Sequence, residues 1–229
     1  MKNALPVFLF LFVVVVGCNK KDSQQHITID ADIVANFGYK VGSYWIYKDS
    51  LSGQVDSFYV YQNNGIGSIE DNGTLVDGIG IYLNQEKISG PGVADTIKWV
   101  FDLESNFIAL GLTLTRFGQI VDQISFPVFI SYPFSLGHPS GNRKGISGGN
   151  VTEILPTYLL NGNSYDSVAV LTYNGNVNGY PINDTYYINT KIGVVKMSLN
   201  HVNGSVLRVW ELQRWNIVRY HRWKIKTRL

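Results

Sequence analysis

The fold class is indicated most directly by residues 193–209, GVVKMSLNHVNGSVLRV, near the C-terminal end of the chain. Two apolar runs, residues 194–197 and 206–209, flank the dipeptide Asn203-Gly204. Both residues of an Asn-Gly pair tolerate positive φ, which the tight type I′ turn of a β-hairpin requires. The stretch therefore predicts two antiparallel strands joined by a short turn.

The same pattern recurs along the chain. Asn-Gly dipeptides begin at Asn64, Asn72, Asn161, Asn174, Asn178 and Asn203. The segments between them are rich in aromatic and β-branched residues, which favour strands. The runs predicted as strands are residues 44–47, 58–61, 80–83, 96–103, 107–117, 119–125, 128–132, 167–173, 185–189, 193–199 and 206–218. The first two are expected to meet across a turn at Ser52-Gly53.

Helical periodicity is scarce after residue 25, and only residues 30–37 predict a short helix, with Asp30 as its N-cap. Strands without intervening helices argue against parallel βαβ units. We therefore expect a mostly β protein, an antiparallel meander that forms a sandwich or an open or half barrel.

Composition excludes several classes of protein. The chain has 229 residues, of which 45% are hydrophobic and 16% charged, with five Trp, 14 Tyr, 11 Phe and one Cys. This apolar share is too high for a disordered chain, and one Cys builds neither a disulfide framework nor a cysteine-rich zinc site. A net charge of +2 gives no nucleic-acid footprint, so no nucleic-acid partner is expected.

The N-terminus has the proportions of a secretory signal. Lys2 supplies a positive start, and residues 4–16 carry no charge. A helix of these thirteen residues would rise about 20 Å, which is well short of the roughly 30 Å hydrocarbon core of a bilayer. We therefore predict an N-terminal signal helix over residues 1–17 rather than a membrane span.

The end of this segment, Val15-Val16-Gly17-Cys18, resembles the lipobox of bacterial lipoproteins. The resemblance implies cleavage between Gly17 and Cys18 and attachment of a diacylglyceryl group to the Cys18 thiol. Two or three acyl chains exceed the single-chain limit for stable anchoring, so the expected partner is a membrane, bound through the acyl chains on Cys18.

The resemblance also implies a location and a domain plan. Asn19 occupies the second mature position, which in such lipoproteins favours the outer membrane; the periplasmic and surface faces both stay open. Residues 18–29 are expected to be a polar tether, residues 30–218 a single β-rich domain, and residues 219–229 a basic tail. A stretch rich in Gly, Pro and Ser, residues 133–150, is the predicted long loop or internal boundary.

A second resemblance concerns the body of the chain. Residues 45–50 (WIYKDS), residues 186–196 and residues 210–212 (WEL) are similar to segments of uncharacterised Bacteroidota outer-membrane lipoproteins with an aromatic-rich β-domain. The similarity covers both ends of the mature domain. It implies no particular activity.

Catalytic and metal-binding motifs are scarce. The four His stand at positions 26, 138, 201 and 221, and none lies at ligand spacing to another. The chain lacks a Gly-x-Ser-x-Gly elbow, and a lipidated Cys18 leaves no thiol nucleophile. We therefore expect no metal and no cofactor, and we favour a protein without catalytic activity.

Aromatic strand residues are the predicted ligand contacts. Rows of flat rings on a strand bind sugar faces or apolar ligands, although the same rings also serve cross-strand packing in a core, which we favour here. The candidates are Trp45, Tyr47, Tyr59, Tyr61 and Trp99.

A second candidate is the basic tail. Its cations are Arg219, Arg222, Lys224, Lys226 and Arg228. Removing Lys2 with the signal lowers the net charge from +2 to +1, and setting these five aside leaves −4 for residues 18–218. The tail is expected either to contact lipid phosphates or an acidic partner, or to be a solvated extension.

The function expected from these observations is that of a lipid-anchored envelope lipoprotein acting as a non-catalytic binding or structural module. Its partner would be a glycan, a lipid or another envelope protein. Two alternatives stay open: an envelope glycan hydrolase whose two carboxylates meet only in the fold, and a lipid carrier with a half-barrel cavity.

Overall fold

The computed structural model describes residues 25–71, 74–89, 93–104, 107–116, 119–122, 128–137, 149–177, 180–201 and 206–219. The predicted signal peptide with Gly17 and Cys18, and four of the five tail cations (Arg222, Lys224, Lys226 and Arg228), lie outside these residues. Within the described ranges, no helix is long and apolar enough to cross a membrane.

The described part of the chain forms one helix and thirteen strands. In chain order they are β1 (His26–Ile27), α1 (Ala31–Phe37), β2 (Tyr44–Asp49), β3 (Val55–Asp71), β4 (Thr74–Ser89), β5 (Val93–Glu104), β6 (Phe107–Arg116), β7 (Gln119–Asp122), β8 (Val128–Ser131), β9 (Asn150–Leu160), β10 (Asn163–Val177), β11 (Tyr180–Asn189), β12 (Gly193–His201) and β13 (Val206–Asn216).

The strands belong to one sheet in the order β7-β6-β5-β4-β3-β2-β13-β12-β11-β10-β9, with β8 also paired to β6. These pairs are antiparallel, and β1 alone among the described strands pairs in parallel, with β4. The sheet curls into a half-barrel. The predicted antiparallel β architecture is confirmed, and strands on both sides of residues 133–150 belong to the same sheet.

The Asn-Gly dipeptides divide into two groups. Asn161 (φ 52°) and Gly162 (φ 77°) form the turn between β9 and β10, as the type I′ preference predicts. The dipeptides at Asn72, Asn178 and Asn203 stand between paired strands, but they lie outside the described residues.

For two dipeptides the expectation of a hairpin turn was wrong. Asn64 lies inside β3 and Asn174 inside β10. In β3 the register shifts between Asn63 and Ile66, and Gly65 has a φ of 70°, so this glycine serves a β-bulge instead. Positive φ at Asn-Gly is thus used either to reverse the chain or to bend a continuous strand.

The predicted helix is confirmed as α1. The Asp30 carboxylate accepts a hydrogen bond from Asp32 N at 2.7 Å, which caps the first turn. At the other end Gly38 N donates to Val34 O at 2.9 Å. One side of this short helix is apolar and packs on the sheet.

The buried side of α1 is built around Phe37. Its ring meets Tyr132 and Phe134 edge-on, with centroids 5.9 and 6.0 Å away, and Ile33 one turn earlier is fully buried. Edge-to-face contacts of this kind stabilise by about 0.5–1.5 kcal/mol each beyond area burial. The start of the Gly-, Pro- and Ser-rich segment is therefore packed onto the domain.

Alternation along β2 defines the two faces of the sheet. Trp45, Tyr47 and Asp49 are buried and mark the inner face, whereas Tyr44, Ile46 and Lys48 point to the outer, solvent side. The inner face carries the core. Its largest fully buried side chains are Tyr39, Tyr165, Tyr186, Phe37, Ile33, Ile81, Leu171, Leu212 and Val60.

Both chain termini of the described region are fastened to the sheet. Leu75 N donates to Gln25 O at 2.8 Å, and Ile29 is buried, so the predicted tether joins the domain by residue 25 rather than 30. At the opposite end Val218 O accepts from Lys40 N at 2.9 Å and from Ser43 Oγ at 3.1 Å.

Candidate functional site

Two of the predicted ligand-binding aromatics are part of the core. Trp45 Nε1 donates to Ile192 O, and Tyr47 OH donates to Val194 O, both at 2.7 Å. The two side chains are 3% and 4% exposed. They therefore tie β2 to the start of β12 across the inner face of the half-barrel.

The pKa of Tyr47 is consistent with this structural position. Burial raises it well above its ordinary value, and the nearby Tyr39 and Tyr165 add to the rise. The phenol consequently stays protonated and remains a hydrogen-bond donor to Val194 O at physiological pH.

Tyr39 is the centre of the same cluster. Its ring lies edge-on to Trp45 with centroids 4.8 Å apart. A Cβ added to Gly193 would lie 2.7 Å from the Tyr39 hydroxyl. The glycine therefore allows the backbone at the start of β12 to approach the Tyr39 side chain closely. Burial raises the pKa of Tyr39, and the nearby Arg219 acts in the opposite direction.

The first cation of the predicted basic tail is held within the fold. The Arg219 guanidinium donates to Ala35 O in α1 and lies 6.0 Å from the centroid of the Tyr39 ring. Its backbone forms a bridge with Tyr39. Arg219 therefore packs against the domain rather than in a solvated extension, and its expected contact with lipid phosphates stays a prediction.

Buried carboxylates are a feature that sequence reasoning missed. Asp49 accepts hydrogen bonds from Ser52 Oγ at 2.6 Å, Leu51 N at 3.1 Å and Val209 N at 3.2 Å. Burial alone would raise the pKa of Asp49, but these bonds and the nearby Arg208 hold it below its ordinary value. The aspartate orders the β2–β3 turn. The spacing of an Asp before Ser52-Gly53 is the signal that predicts such a turn.

A second buried carboxylate, Asp184, also accepts hydrogen bonds from the surrounding structure. Asp184 accepts from Asn200 N at 2.8 Å and from Tyr186 OH at 3.3 Å, and it is 1% exposed. Burial, followed by the charge of Asp184, raises the pKa of Tyr186 well above its ordinary value. Asp49 and Asp184 thus serve the backbone and a neutral phenol, which is a structural use of both acids.

The outer face carries a different group of aromatics. Tyr44 on β2 and Tyr59 on β3 are directly opposite in the register and half-buried. The guanidinium of Arg214 on β13 lies 5.7 Å from the centroid of the Tyr44 ring, and Arg214 is itself opposite Ile46. We call Tyr44, Ile46, Tyr59 and Arg214 the outer patch.

A row of four cross-strand neighbours, three of them charged, runs beside the outer patch. Lys48 on β2, Glu211 on β13, Lys196 on β12 and Tyr187 on β11 are successive cross-strand neighbours. Lys196 Nζ forms an ion pair with Glu211 Oε1 at 3.0 Å, and Tyr187 stacks on Tyr158 with centroids 5.0 Å apart.

This row is held together by the ion pair. Partial burial alone would lower the pKa of Lys196, but the hydrogen bond to Glu211 and the nearby Tyr158 outweigh it, and the pKa lies above its ordinary value. Glu211 is therefore committed to Lys196. The ring stack of Tyr158 and Tyr187 supports Lys196, whose Nζ lies 5.9 Å from the Tyr187 centroid.

The five predicted aromatics are thus not brought together. Trp45 and Tyr47 face the core, while Tyr59 belongs to the outer patch and Tyr61, 38% exposed, is the extra residue of a bulge in β3. Trp99 lies on β5 opposite Leu83, and its side chain is outside the described part.

Tyr44 and Arg214 were missed by sequence reasoning, for different reasons. The turn at Ser52-Gly53 places Tyr44 opposite Tyr59 once the register is counted, so the first could have been found. Arg214 reaches the patch only through the pairing of β2 with β13, which no local pattern indicates.

The outer patch has the chemistry of a recognition surface. A flat ring offers an apolar face, and a guanidinium offers several donors in a fixed plane. Among the described residues, no group of three or more His, Cys, Asp and Glu side chains is arranged to hold a metal ion. The chemical groups that the outer patch presents are thus two phenol rings and one guanidinium.

Comparison of the chain with known protein families, curated proteins and solved structures finds no match.

Proposed function

We propose that this protein is a lipid-anchored, non-catalytic glycan-binding module of the bacterial envelope. The observation that carries the proposal is the outer patch, in which Tyr44 and Tyr59 stand side by side on the solvent face with Arg214 against one ring. Sugar rings present C–H faces that pack on aromatic rings and hydroxyls that accept from guanidinium groups.

The inner face supports a ligand site on the outside rather than in the half-barrel. Its described side chains include the fully buried Tyr39, Tyr186 and Leu171, and an acyl chain entering this part of the half-barrel would have to displace such packed side chains. The inner-facing Trp45 and Tyr47 have their polar atoms bound to backbone carbonyls. A glycan on the outer patch requires no rearrangement of this core.

The anchor fits a role near the membrane surface. Seven residue steps separate Cys18 from Gln25, where the chain is fastened to β4. A fully extended chain spans at most about 3.5 Å per residue, so the tether reaches roughly 25 Å. Lipidated at Cys18, the domain would be held close to the bilayer, among envelope or surface polysaccharides.

Binding is tested with the lipidated chain in detergent micelles on an array of polysaccharides. We expect at least one glycan to bind, and the double variant Tyr44→Ala/Tyr59→Ala to bind it about five- to a hundredfold more weakly. Each ring contributes about 0.5–1.5 kcal/mol of stacking, and 1.4 kcal/mol corresponds to a factor of ten.

The matched control for binding is Leu159→Ala, which removes an exposed apolar side chain of β9 outside the patch (73% exposed). It is expected to bind like the native chain. Circular dichroism checks that every variant retains the sheet. Failure of all glycans to bind, or equal affinity of the double variant, would show that the outer patch is not a glycan site.

The anchor is tested separately by growing cells with labelled palmitate. We expect the native chain to incorporate the label and Cys18→Ala to lose it completely, because a thioether requires the Cys18 sulfur. A serine variant at the same position, Cys18→Ser, is the conservative control and should also lose the label. Label that persists in either variant contradicts lipidation at Cys18.

A further inference from the structure

We infer that the ligand of the outer patch is an acidic polysaccharide, whose carboxylate is bound by Arg214 while its sugar rings pack on Tyr44 and Tyr59. This inference rests on the proposed function and specifies its class of ligand. It is carried by charge complementarity: Arg214 in the patch and Lys48 beside it have no ion-pair partner in the described part of the chain.

Arg214 is the principal cation. Its side chain is exposed on β13, and the contact that the structure shows for it is the Tyr44 ring. Among the described residues it has no ion-pair partner. A guanidinium carries its donors in a planar fork, and those donors match a carboxylate bidentately.

The neighbouring acid cannot neutralise Arg214. On the outer face of β2, β12 and β13, as far as they are described, the charged side chains are Lys48, Lys196, Arg214 and Glu211. The carboxylate of Glu211 is bound to Lys196 at 3.0 Å. Three cations against one acid leave this face with an excess of two positive charges.

Lys48 extends the positive surface along the sheet. It is exposed and lies two residues from Ile46 on the same strand, and Ile46 is directly opposite Arg214. Two residues along a strand span about 7 Å, so the two cations can reach carboxylates on one polysaccharide chain. This positive face belongs to a region, residues 18–218, whose net charge is −4. It is therefore a local arrangement and not a general basic character.

The test compares acidic polysaccharides with the same polymers after methyl esterification of their carboxyl groups. The probes are polygalacturonate, alginate and hyaluronate, and the protein is the lipidated chain in neutral detergent. Esterification removes the charge and keeps the sugar rings. We expect at least one acid form to bind ten- to a hundredfold more tightly than its ester, as for a charge-assisted pair.

Variants separate the two roles within the patch. Arg214→Gln is expected to lower affinity for the acid form to that of the ester, whereas Arg214→Lys should retain part of the preference. Tyr59→Ala removes the ring on β3 and keeps the Tyr44 ring against Arg214, so it should weaken both forms alike. Lys191→Gln, which removes a cation from the exposed β11–β12 turn, is the control for general loss of charge and should leave the preference unchanged.

The outcomes distinguish this inference from the proposed function. Equal binding of acid and ester forms for all three polymers, or an acid preference that survives Arg214→Gln, overturns the inference while glycan binding stands. No binding to any polysaccharide overturns both. Vesicles of phosphatidylglycerol and phosphatidylcholine provide the last arm: vesicle binding that depends on Arg214, without polysaccharide binding, identifies a lipid surface and overturns the inference.

Discussion

Replacing Gly193 by alanine is expected to lower the free energy of unfolding by about 2–4 kcal/mol. Two effects add. Gly193 has a φ of 97°, which strains any residue with a Cβ, and the new methyl would lie 2.7 Å from the Tyr39 hydroxyl. Tyr39 is fully buried between Trp45 and the helix, so the ring has little room to retreat.

The two effects can be separated by matched variants. Gly53→Ala places a methyl at a φ of 74° with no atom within 4 Å, so it should report backbone strain alone, about 1 kcal/mol. Tyr39→Phe removes the hydroxyl oxygen that the new methyl would contact. The nearest remaining ring atom, Cζ, lies 3.5 Å from the methyl. In that background Gly193→Ala should cost about 1–2 kcal/mol less than in the native chain. Urea unfolding of the native chain and the four variants measures these differences, and equal costs at Gly193 and Gly53 would contradict a steric origin.

At high pH the domain is expected to unfold cooperatively because three of its buried tyrosines, Tyr39, Tyr47 and Tyr186, are held as neutral phenols. Burial raises the pKa of Tyr39, Tyr47 and Tyr186 above the ordinary value of 10. Between pH 10 and the raised folded values, only the unfolded chain releases these protons. Rising pH therefore favours unfolding, by about 1.4 kcal/mol per pH unit for each tyrosine and about 4 kcal/mol for three.

The sign of this linkage follows from the direction of the shifts. The stabilising contribution is fully present below pH 10 and is lost as pH rises toward the folded pKa values. About 4 kcal/mol per pH unit removes the 5–15 kcal/mol stability of an ordinary domain within about one to four pH units.

Absorbance at 295 nm and circular dichroism, recorded together from pH 8 to 13, measure the effect. We expect exposed tyrosines to ionise first and a remaining class to ionise only as the sheet signal disappears. The chain in concentrated urea is the reference, in which all 14 tyrosines should titrate near pH 10. Ionisation of every tyrosine near pH 10 with the sheet intact would refute the buried class.

Local patterns predicted much of the architecture. The Asp30 cap identified α1, and β-branched runs identified strands such as β12 and β13, because both depend on neighbours in sequence. The strand β9 was missed. Its sequence, NVTEILPTYLL, contains Pro156 and lacks a clean alternation, and its place at the edge of the sheet is what tolerates the proline.

The candidate site was predictable only in part. Tyr59 was among the expected aromatics, and hairpin geometry brings Tyr44 beside it. The prediction did not distinguish the inward-facing Trp45 and Tyr47 from the outward-facing Tyr59. An aromatic strand has the same residue types on both faces, and the curl of the sheet decides which face is buried. Arg214 joins the patch through long-range pairing, which propensity does not encode.

The pairing of β2 with β13 makes the centre of this sheet a seam between the two ends of the domain. Ser43 and Val218 exchange hydrogen bonds across 175 positions of sequence, whereas the hairpins at the sheet margins join neighbours. Such a topology has high contact order, and loop-closure entropy delays its most distant contacts. During synthesis β13, which carries Arg214, emerges after every other described strand. A nascent or truncated chain can therefore display Tyr44 and Tyr59 without Arg214, and the proposed glycan site would be complete only once β13 has paired with β2.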